Sequence, residues 1–467
     1  MTLQKYKSTI LYVSILLLAF VLRLIHLSDE SIWLDEGISI AMGKLNFAQL
    51  LNKSAVDTFP PLYYLMLHYW MLLFGDSEFS ARFLSLLFSM ATIIVTYQLC
   101  KHLWQEKVAT IAAFLLAISV FHIEHAQEVR MYSLVSFLSV SSCYLFLKWK
   151  EKQSTIWVVL LFIFNLLFLY SHILAIFFIA AQNIYYLSLI DKGAIKLKSW
   201  IIFNFLLLLC FAPWIQMFLY QASAWQSTTW MPTPSARDII GTFTTYSGSV
   251  LLTLIFAILI SKALFKYKIE KQNFYFLIYW LFLPSFLLLA FCFIFHSIYL
   301  QKYTIASSIP FFILVAYSIQ SFKQKKHKAW LLSAITILAG IKLAVYYVED
   351  YKEQWRDAVA LVESKADKDD VVLFDAAYCK HNAFDYYARR ADLIKLPLVD
   401  VREEVNERNV LRLDTLSNGV KSTWLVLSHS RDAKGLVKKK ITHDYEVLYH
   451  EEFIGVEVYR LKRRAGQ

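Results

Sequence analysis

The chain has 467 residues, 58% of them hydrophobic and 18% charged, with a formal net charge of +11. So few charges, against roughly 25% in an ordinary soluble domain, exclude a soluble globular protein for most of the length and identify a polytopic membrane protein. The basic excess sits in short lysine clusters between apolar runs, which reads as membrane topology and excludes a nucleic-acid surface.

The first apolar segment, Thr9 to Leu27, has no small-residue cleavage site behind it and is expected to stay as the first span. Just beyond it stands Trp33-Leu34-Asp35-Glu36, an acidic pair at a membrane edge, where carboxylates are costly unless they bind or react with something. Eleven further apolar stretches follow: Pro61 to Phe74, Phe79 to Cys100, Val108 to Ile123, Met131 to Leu147, Thr155 to Tyr170, Ile173 to Ile190, Trp200 to Tyr220, Ile239 to Ser261, Phe274 to Phe295, Thr304 to Ile319 and Trp330 to Val348. A full crossing needs roughly 20 residues, and both Pro61 to Phe74 and Val108 to Ile123 are short. Charge decides between them. If Pro61 to Phe74 does not cross, the clusters at Lys101 and Lys107, Lys148 to Lys152, Lys192 to Lys198, Lys262 to Lys271 and Lys323 to Lys328 all share the side of Lys5 and Lys7, which the positive-inside rule makes cytoplasmic. The expectation is therefore about 11 transmembrane helices, amino terminus in and carboxyl terminus out. Pro61 to Phe74 becomes a helix lying along or dipping into the outer face, opened by a proline as first helical turns often are.

That topology gathers Asp35, Glu36, Asp57, Glu124, Glu128, Arg130, Lys302 and Tyr303 on the outer side. The tail joins them. After Val348 hydropathy drops, and helix-like segments (Trp355 to Lys365, Asn382 to Arg390, Val401 to Leu411) alternate with β-rich runs (Val371 to Phe374, Trp424 to Leu427, Glu446 to His450, Gly455 to Leu461). Such alternation predicts a small soluble α/β domain with a partly parallel sheet. The expected division is residues 1–348 as a transmembrane domain, with 28–78 as its first outer loop, and 349–467 as an extracytoplasmic domain. Neither a GxGxxG nor a P-loop nor an internal repeat is present, and the five cysteines form no disulfide framework or metal-ligand spacing. His122 and His125, flanking Glu124, read as interfacial polarity at a span end, and His172 and His296, at outer span ends, receive no role. The stripe Tyr63, Tyr64, Tyr69 and Trp70 reads as interface anchoring that could also bed a polyprenyl chain.

Taken in order, Leu22-Arg23-Leu24, Trp33-Leu34-Asp35-Glu36, Asp57-Thr58-Phe59-Pro60-Pro61-Leu62-Tyr63-Tyr64, Phe74-Gly75-Asp76-Ser77-Glu78-Phe79-Ser80-Ala81-Arg82, Gln127-Glu128-Val129-Arg130-Met131-Tyr132-Ser133-Leu134 and Lys302-Tyr303 before Pro310 resemble the bacterial branch of the protein O-mannosyltransferase and aminoarabinose transferase superfamily. The resemblance covers Arg23 to about Pro310, and the tail, opening Trp355-Arg356-Asp357-Ala358, is similar to the periplasmic domains of many relatives. It implies a GT-C fold glycosyltransferase: a polytopic α-helical membrane protein with a small C-terminal soluble α/β domain. It further implies a polyprenyl-phosphate-sugar donor, an active site at the outer face of the cytoplasmic membrane, and inversion at the anomeric carbon. The acceptor, whether glycan, lipid or protein, is left open.

The chemistry assigns candidates. An acceptor hydroxyl is a poor nucleophile until a base takes its proton, and a positioned carboxylate typically contributes 10²- to 10⁴-fold. Asp35 is the candidate base, with Glu36 beside it; the competing reading is a helix start, where acidic residues favour the first turn. Glu128 resembles the second acidic residue of relatives. The leaving lipid phosphate gains charge as the glycosidic bond breaks, so preorganised cations stabilise it. Lys302 with the Tyr303 hydroxyl is the first candidate, then Arg130 and Arg82, against a reading of Lys302 and Arg82 as snorkelling side chains. Asp57 and Tyr63 complete the expected substrate-binding set. Two departures stand out: relatives usually carry arginine where this chain has Lys302, and histidine or lysine where it has Phe59. No cofactor is expected to be obligatory, although Asp35 and Glu128 could share a hydrated Mg²⁺ or Mn²⁺. Two other classes compete: a wall-polysaccharide polymerase or ligase using pyrophosphate-linked donors, and a transporter, which the lack of two related halves disfavours.

Overall fold

The structure is a computed structural model that describes residues 2–56, 59–189, 197–225, 231, 233–266, 271–295, 297–399, 403–417 and 422–464. Each of the twelve apolar stretches is helical over most of its described length, as it must be where no water satisfies backbone N–H and C=O groups. Six helices are long and apolar enough to cross a membrane singly, and two further pairs qualify if each bent pair is one span. The chain is thus a multi-pass membrane protein. Glu106–Ala117 and Val120–Ala126 meet at 62°, and Ala236–Ser247 and Val250–Leu264 at 91°. The second bend falls at Gly248, whose φ of 85° is open to glycine and closes the preceding helix. Leu62–Phe74 has 13 residues, about 20 Å of helix at 1.5 Å per residue.

Two compact units emerge. One comprises residues 1–27, 45–75 and 79–349; the other comprises 28–44, 76–78 and 350–467. This differs from a boundary at residue 348, because the first outer loop does not stay whole. The reason is packing within the second unit. Leu34 is part of the apolar core built on Trp355, Phe374 and Trp424. Arg356 donates to the Ser28 and Glu30 carbonyls and pairs with the Glu78 carboxylate.

The membrane unit turns its large apolar side chains outward, among them Leu17, Leu208, Phe286 and Ile337, where the solvent is hydrocarbon. Its interior keeps small and polar groups. Helix Tyr132–Lys152 buries Ser133, Ser136, Ser139, Ser141 and Ser142, residues small enough for close helix approach. Ser142 donates to Asn165, Asn165 to Gln182 at 3.0 Å, and Gln182 back to Ser142 at 3.0 Å, a closed ring across three successive helices. Arg23 is fully buried and donates to the Ala19 carbonyl of its own helix and to the Ser89 hydroxyl and the Leu116 and Ala117 carbonyls, which tie the first helix to its neighbours.

The second unit holds a five-stranded sheet of β1 (Val371–Phe374), β2 (Ile394–Pro397), β3 (Thr423–Leu427), β4 (Tyr445–Phe453) and β5 (Val456–Arg463), in the order β2-β1-β3-β5-β4. The β1 strand pairs in parallel with β2 and β3, while β5 runs antiparallel to β3 and β4. The central strands β1 and β3 are buried throughout and apolar on both faces, as strands covered on both sides are. Helix Trp355–Lys365 forms as expected. The other two helix-like segments give only short turns such as Asp385–Tyr387 and Glu407–Val410. Strand β2 and helix Leu436–Asp444 lie outside the expectation. The first is a half-exposed edge ending in proline; the second carries three consecutive lysines that hide its apolar face.

Candidate functional site

Helix Leu34–Gly43 belongs to the second unit and carries the acidic pair in its first turn. Its N-cap is Trp33, whose side chain makes no capping bond. The need for an acceptor is met instead by Glu353, whose Oε2 accepts the Leu34 N–H at 3.0 Å. Asp35 is partly accessible. Glu36 is fully buried and lies 3.5 Å from the Lys352 Nζ. Gly37 explains the close seating of the helix, since a Cβ there would fall 1.9 Å from the Asn382 carbonyl oxygen.

The first unit holds a cluster of cations and aromatic rings. Lys302, in the short 3-10 turn Gln301–Thr304, places its Nζ 5.5 Å from the centre of the Tyr132 ring. The Arg130 guanidinium lies 6.0 Å from the same ring and 5.1 Å from that of Phe59. Two cations thus share one ring, within the range of cation–π attraction. The Tyr303 ring sits 5.2 Å from His172 and 6.2 Å from both Phe59 and Tyr132. His172 is buried, and its Nδ1 accepts the Leu174 N–H at 3.1 Å. That bond leaves the ring proton of a neutral imidazole on Nε2, which has no hydrogen-bond partner among the described residues. His172, Tyr303, Thr304, Ser285 and Ser307 line one small cavity.

The remaining expected residues connect to this cluster unequally. Tyr63 is buried; its hydroxyl is 3.0 Å from the Ser85 hydroxyl, which in turn donates to the Arg130 carbonyl. Glu128 is buried and lies 3.2 Å from His125 Nδ1, and the His125 ring packs 5.0 Å from Tyr132. Arg82 is buried and donates to the Leu27 carbonyl at 3.0 Å, which removes the snorkelling reading for it. Asp57 and His296 lie outside the described residues. The acidic pair stands in one compact unit, and Glu128, Arg130, Lys302, Tyr303, Tyr63 and Arg82 in the other.

Three further readings of the sequence change. His122 and His125 are interior rather than interfacial, His122 Nε2 lying 2.8 Å from the Ser308 hydroxyl. Phe59, noted only as a departure, is a wall of the cluster. His172, given no role, stands in its centre; the one available signal was a histidine between two short apolar helices, Thr155–Ser171 and Ala175–Leu187. As to metal, the group of three His, Cys, Asp or Glu ligands close enough to share an ion among the described residues is His450, Glu452 and Glu457 on β4 and β5, which includes no expected site residue.

The sequence model of the dolichyl-phosphate-mannose-protein mannosyltransferases matches residues 58–217. No match was found among curated protein sequences. Among solved structures, apo ArnT from Cupriavidus metallidurans superposes with a TM-score of 0.64 at 11% identity, covering 98% of each chain. ArnT of the same organism bound to undecaprenyl phosphate gives 0.61 at 12% identity, covering 97% of each. The oligosaccharyltransferase of Archaeoglobus fulgidus, in complex with zinc and sulfate, gives 0.55 at 13% identity, covering 95% of this chain and 72% of that one. The chain shares the fold of these membrane proteins, and the resemblance drawn from its motifs is borne out by the family match and by the fold.

Proposed function

We propose that this chain is an inverting glycosyltransferase that moves a sugar from a polyprenyl-phosphate-linked donor to an acceptor hydroxyl at the outer face of the cytoplasmic membrane. The observation that carries this reading is the convergence of Lys302, Arg130, the Tyr303 ring and the His172 Nε2–H around Tyr132 and Phe59. Two fixed cations and a spare N–H donor in a largely buried setting suit a phosphate monoester whose charge grows in the transition state. A protein of the same fold has been solved with undecaprenyl phosphate bound.

In this reading Asp35 takes the proton from the acceptor hydroxyl as that oxygen attacks the anomeric carbon. The glycosidic C–O bond breaks as the new bond forms, and Lys302 and Arg130 stabilise the charge of the departing polyprenyl phosphate. Glu36, committed to Lys352, steadies the helix instead of reacting. Glu128 orients the interior beside His125. Because protein cations face the leaving group, no divalent ion is obligatory. Activity that survives EDTA agrees with this; full loss, restored by Mg²⁺ or Mn²⁺, would overturn it.

The test is to supply the purified protein in lipid with a sugar on polyprenyl monophosphate and, separately, an oligosaccharide on polyprenyl pyrophosphate. Transfer from the first alone is expected. Transfer from the second alone would favour a polysaccharide polymerase or ligase.

A further inference from the structure

Any α-helix leaves its first backbone N–H groups without internal partners, and the usual remedy is a Ser, Thr, Asp or Asn at the N-cap. Helix Leu34–Gly43 has Trp33 there, an indole that offers a donor and no acceptor. The acceptor comes from 319 residues away: Glu353 Oε2 takes the Leu34 N–H at 3.0 Å, one residue before Asp35.

The Glu353 carboxylate is itself held from three sides. Its Oε2 also accepts the Trp355 indole N–H at 2.6 Å. Its Oε1 lies 2.5 Å from His429 Nε2. Gly455 presses on the stem, where a Cβ would come within 2.7 Å of Glu353 Cγ. His429 adopts a left-handed φ of 52°, a conformation that costs a non-glycine residue free energy and persists only where its surroundings enforce it. Beside this clamp, Lys352 pairs with Glu36. Two consecutive residues of the tail thus hold Glu36 and Leu34, the residues on either side of Asp35.

We propose that Glu353, clamped by His429, is a positioning residue for Asp35, so that the C-terminal region is a working part of the transferase and not a cover over it. The proposal rests on the reading of Asp35 as base. A displacement of about 1 Å in a reacting group can cost on the order of 10²-fold in rate, so the clamp acts on turnover and not on donor affinity.

The experiment measures kcat and donor KM for Glu353→Ala, Glu353→Gln, His429→Ala, His429→Gln and Asp35→Asn, with binding of undecaprenyl phosphate as a check that the membrane unit is intact. Glu353→Ala is expected to lower kcat by roughly 30- to 100-fold with donor KM unchanged within about threefold. Glu353→Gln, which keeps an acceptor for the Leu34 N–H, should recover most of that loss. His429→Ala should lose roughly tenfold, and His429→Gln, which can still donate to Glu353, should regain it. A Glu353→Ala variant with wild-type kcat, while Asp35→Asn is inactive, would overturn the positioning role alone. An active Asp35→Asn would overturn the base assignment instead. Should Glu353→Ala fail to bind the lipid phosphate, the His429 pair decides: unchanged kcat in His429→Ala removes the proposal.

Discussion

Glu36 is fully buried in the first turn of its helix, and its Oε2 lies 3.5 Å from the Lys352 Nζ. Removing one member of a buried ion pair leaves the other charge poorly compensated, at a cost of about 3–5 kcal/mol, whereas replacing both by groups of similar size is often close to neutral. Lys352→Met should therefore lower the unfolding midpoint sharply, and Glu36→Gln with Lys352→Met should restore most of it. Per folded molecule, Glu36→Gln should keep kcat within about tenfold, while Asp35→Asn should lose at least roughly 10². Equal losses in both would mean that Glu36 shares the chemistry.

The second unit should become less stable as pH rises. Hydrogen bonding to Glu353 holds the His429 imidazolium above its ordinary range. A raised folded pKa contributes stability that is complete below the unfolded value, near 6.5, and is lost as pH climbs through the folded one. Burial pushes the Asp375 carboxyl up to about 7, so the unfolded chain gains by ionising from about pH 4 upward and the folded chain cannot follow until about 7. Both groups act in the same direction. Stability should fall from about pH 4 to 8, and Asp375→Asn should remove the larger share, about 4 kcal/mol from a shift of about three units. Thermal unfolding followed across this range checks it; a variant whose midpoint falls as steeply as wild type would refute the assignment.

Leu62–Phe74 should not cross the bilayer. Asp57→Cys and Asp76→Cys should both react with an impermeant thiol reagent applied from outside, and Lys101→Cys, at the far end of helix Glu78–Leu103, should not. Labelling of only one of the first two would overturn the orientation and the outward placement of the site.

How much the sequence disclosed depended on how local each cause was. Val371-Val-Leu-Phe374 is a strand by its own composition, and the apolar stretches are helices by length and hydropathy alone. The bend at Gly248 was also within reach, since a glycine flanked by serines interrupts an otherwise apolar run. What escaped depends on partners remote in the chain. Nothing near Leu34 announces that its N–H needs Glu353, so the acidic pair looked like part of a membrane loop and not of the tail. Arg82 looked like an anchor because its acceptor, the Leu27 carbonyl, is 55 residues away. His172 looked like span-end polarity because Phe59, Tyr132 and Tyr303 close around it only in the folded chain.

Lys302 should serve the leaving phosphate. Lys302→Ala is expected to lower kcat/KM for the lipid-linked donor by roughly 10² or more, since a charge-assisted contact to a developing charge is commonly worth a few kcal/mol. Lys302→Arg should keep much of the activity because the charge stays at the Tyr132 ring. Normal turnover in the alanine variant would shift the phosphate contact to Arg130.

His172 provides the sharper test of the same cluster. The Leu174 N–H occupies its Nδ1, so Nε2 carries the proton into a cavity shared with Tyr303, and a buried donor left without a partner costs about 1–3 kcal/mol. A bound donor that accepts this N–H recovers that cost, and the gain should appear as affinity. His172→Phe, which keeps an aromatic ring against Phe59, Tyr132 and Tyr303 and removes the donor, should weaken binding of the polyprenyl-phosphate sugar by roughly tenfold. At the same time it should leave stability close to wild type, because the unpaired Nε2–H is gone while the Leu174 N–H loses its acceptor. A variant that loses stability while binding the donor normally would make His172 a structural residue, and the N–H contact to the lipid phosphate would have to be withdrawn.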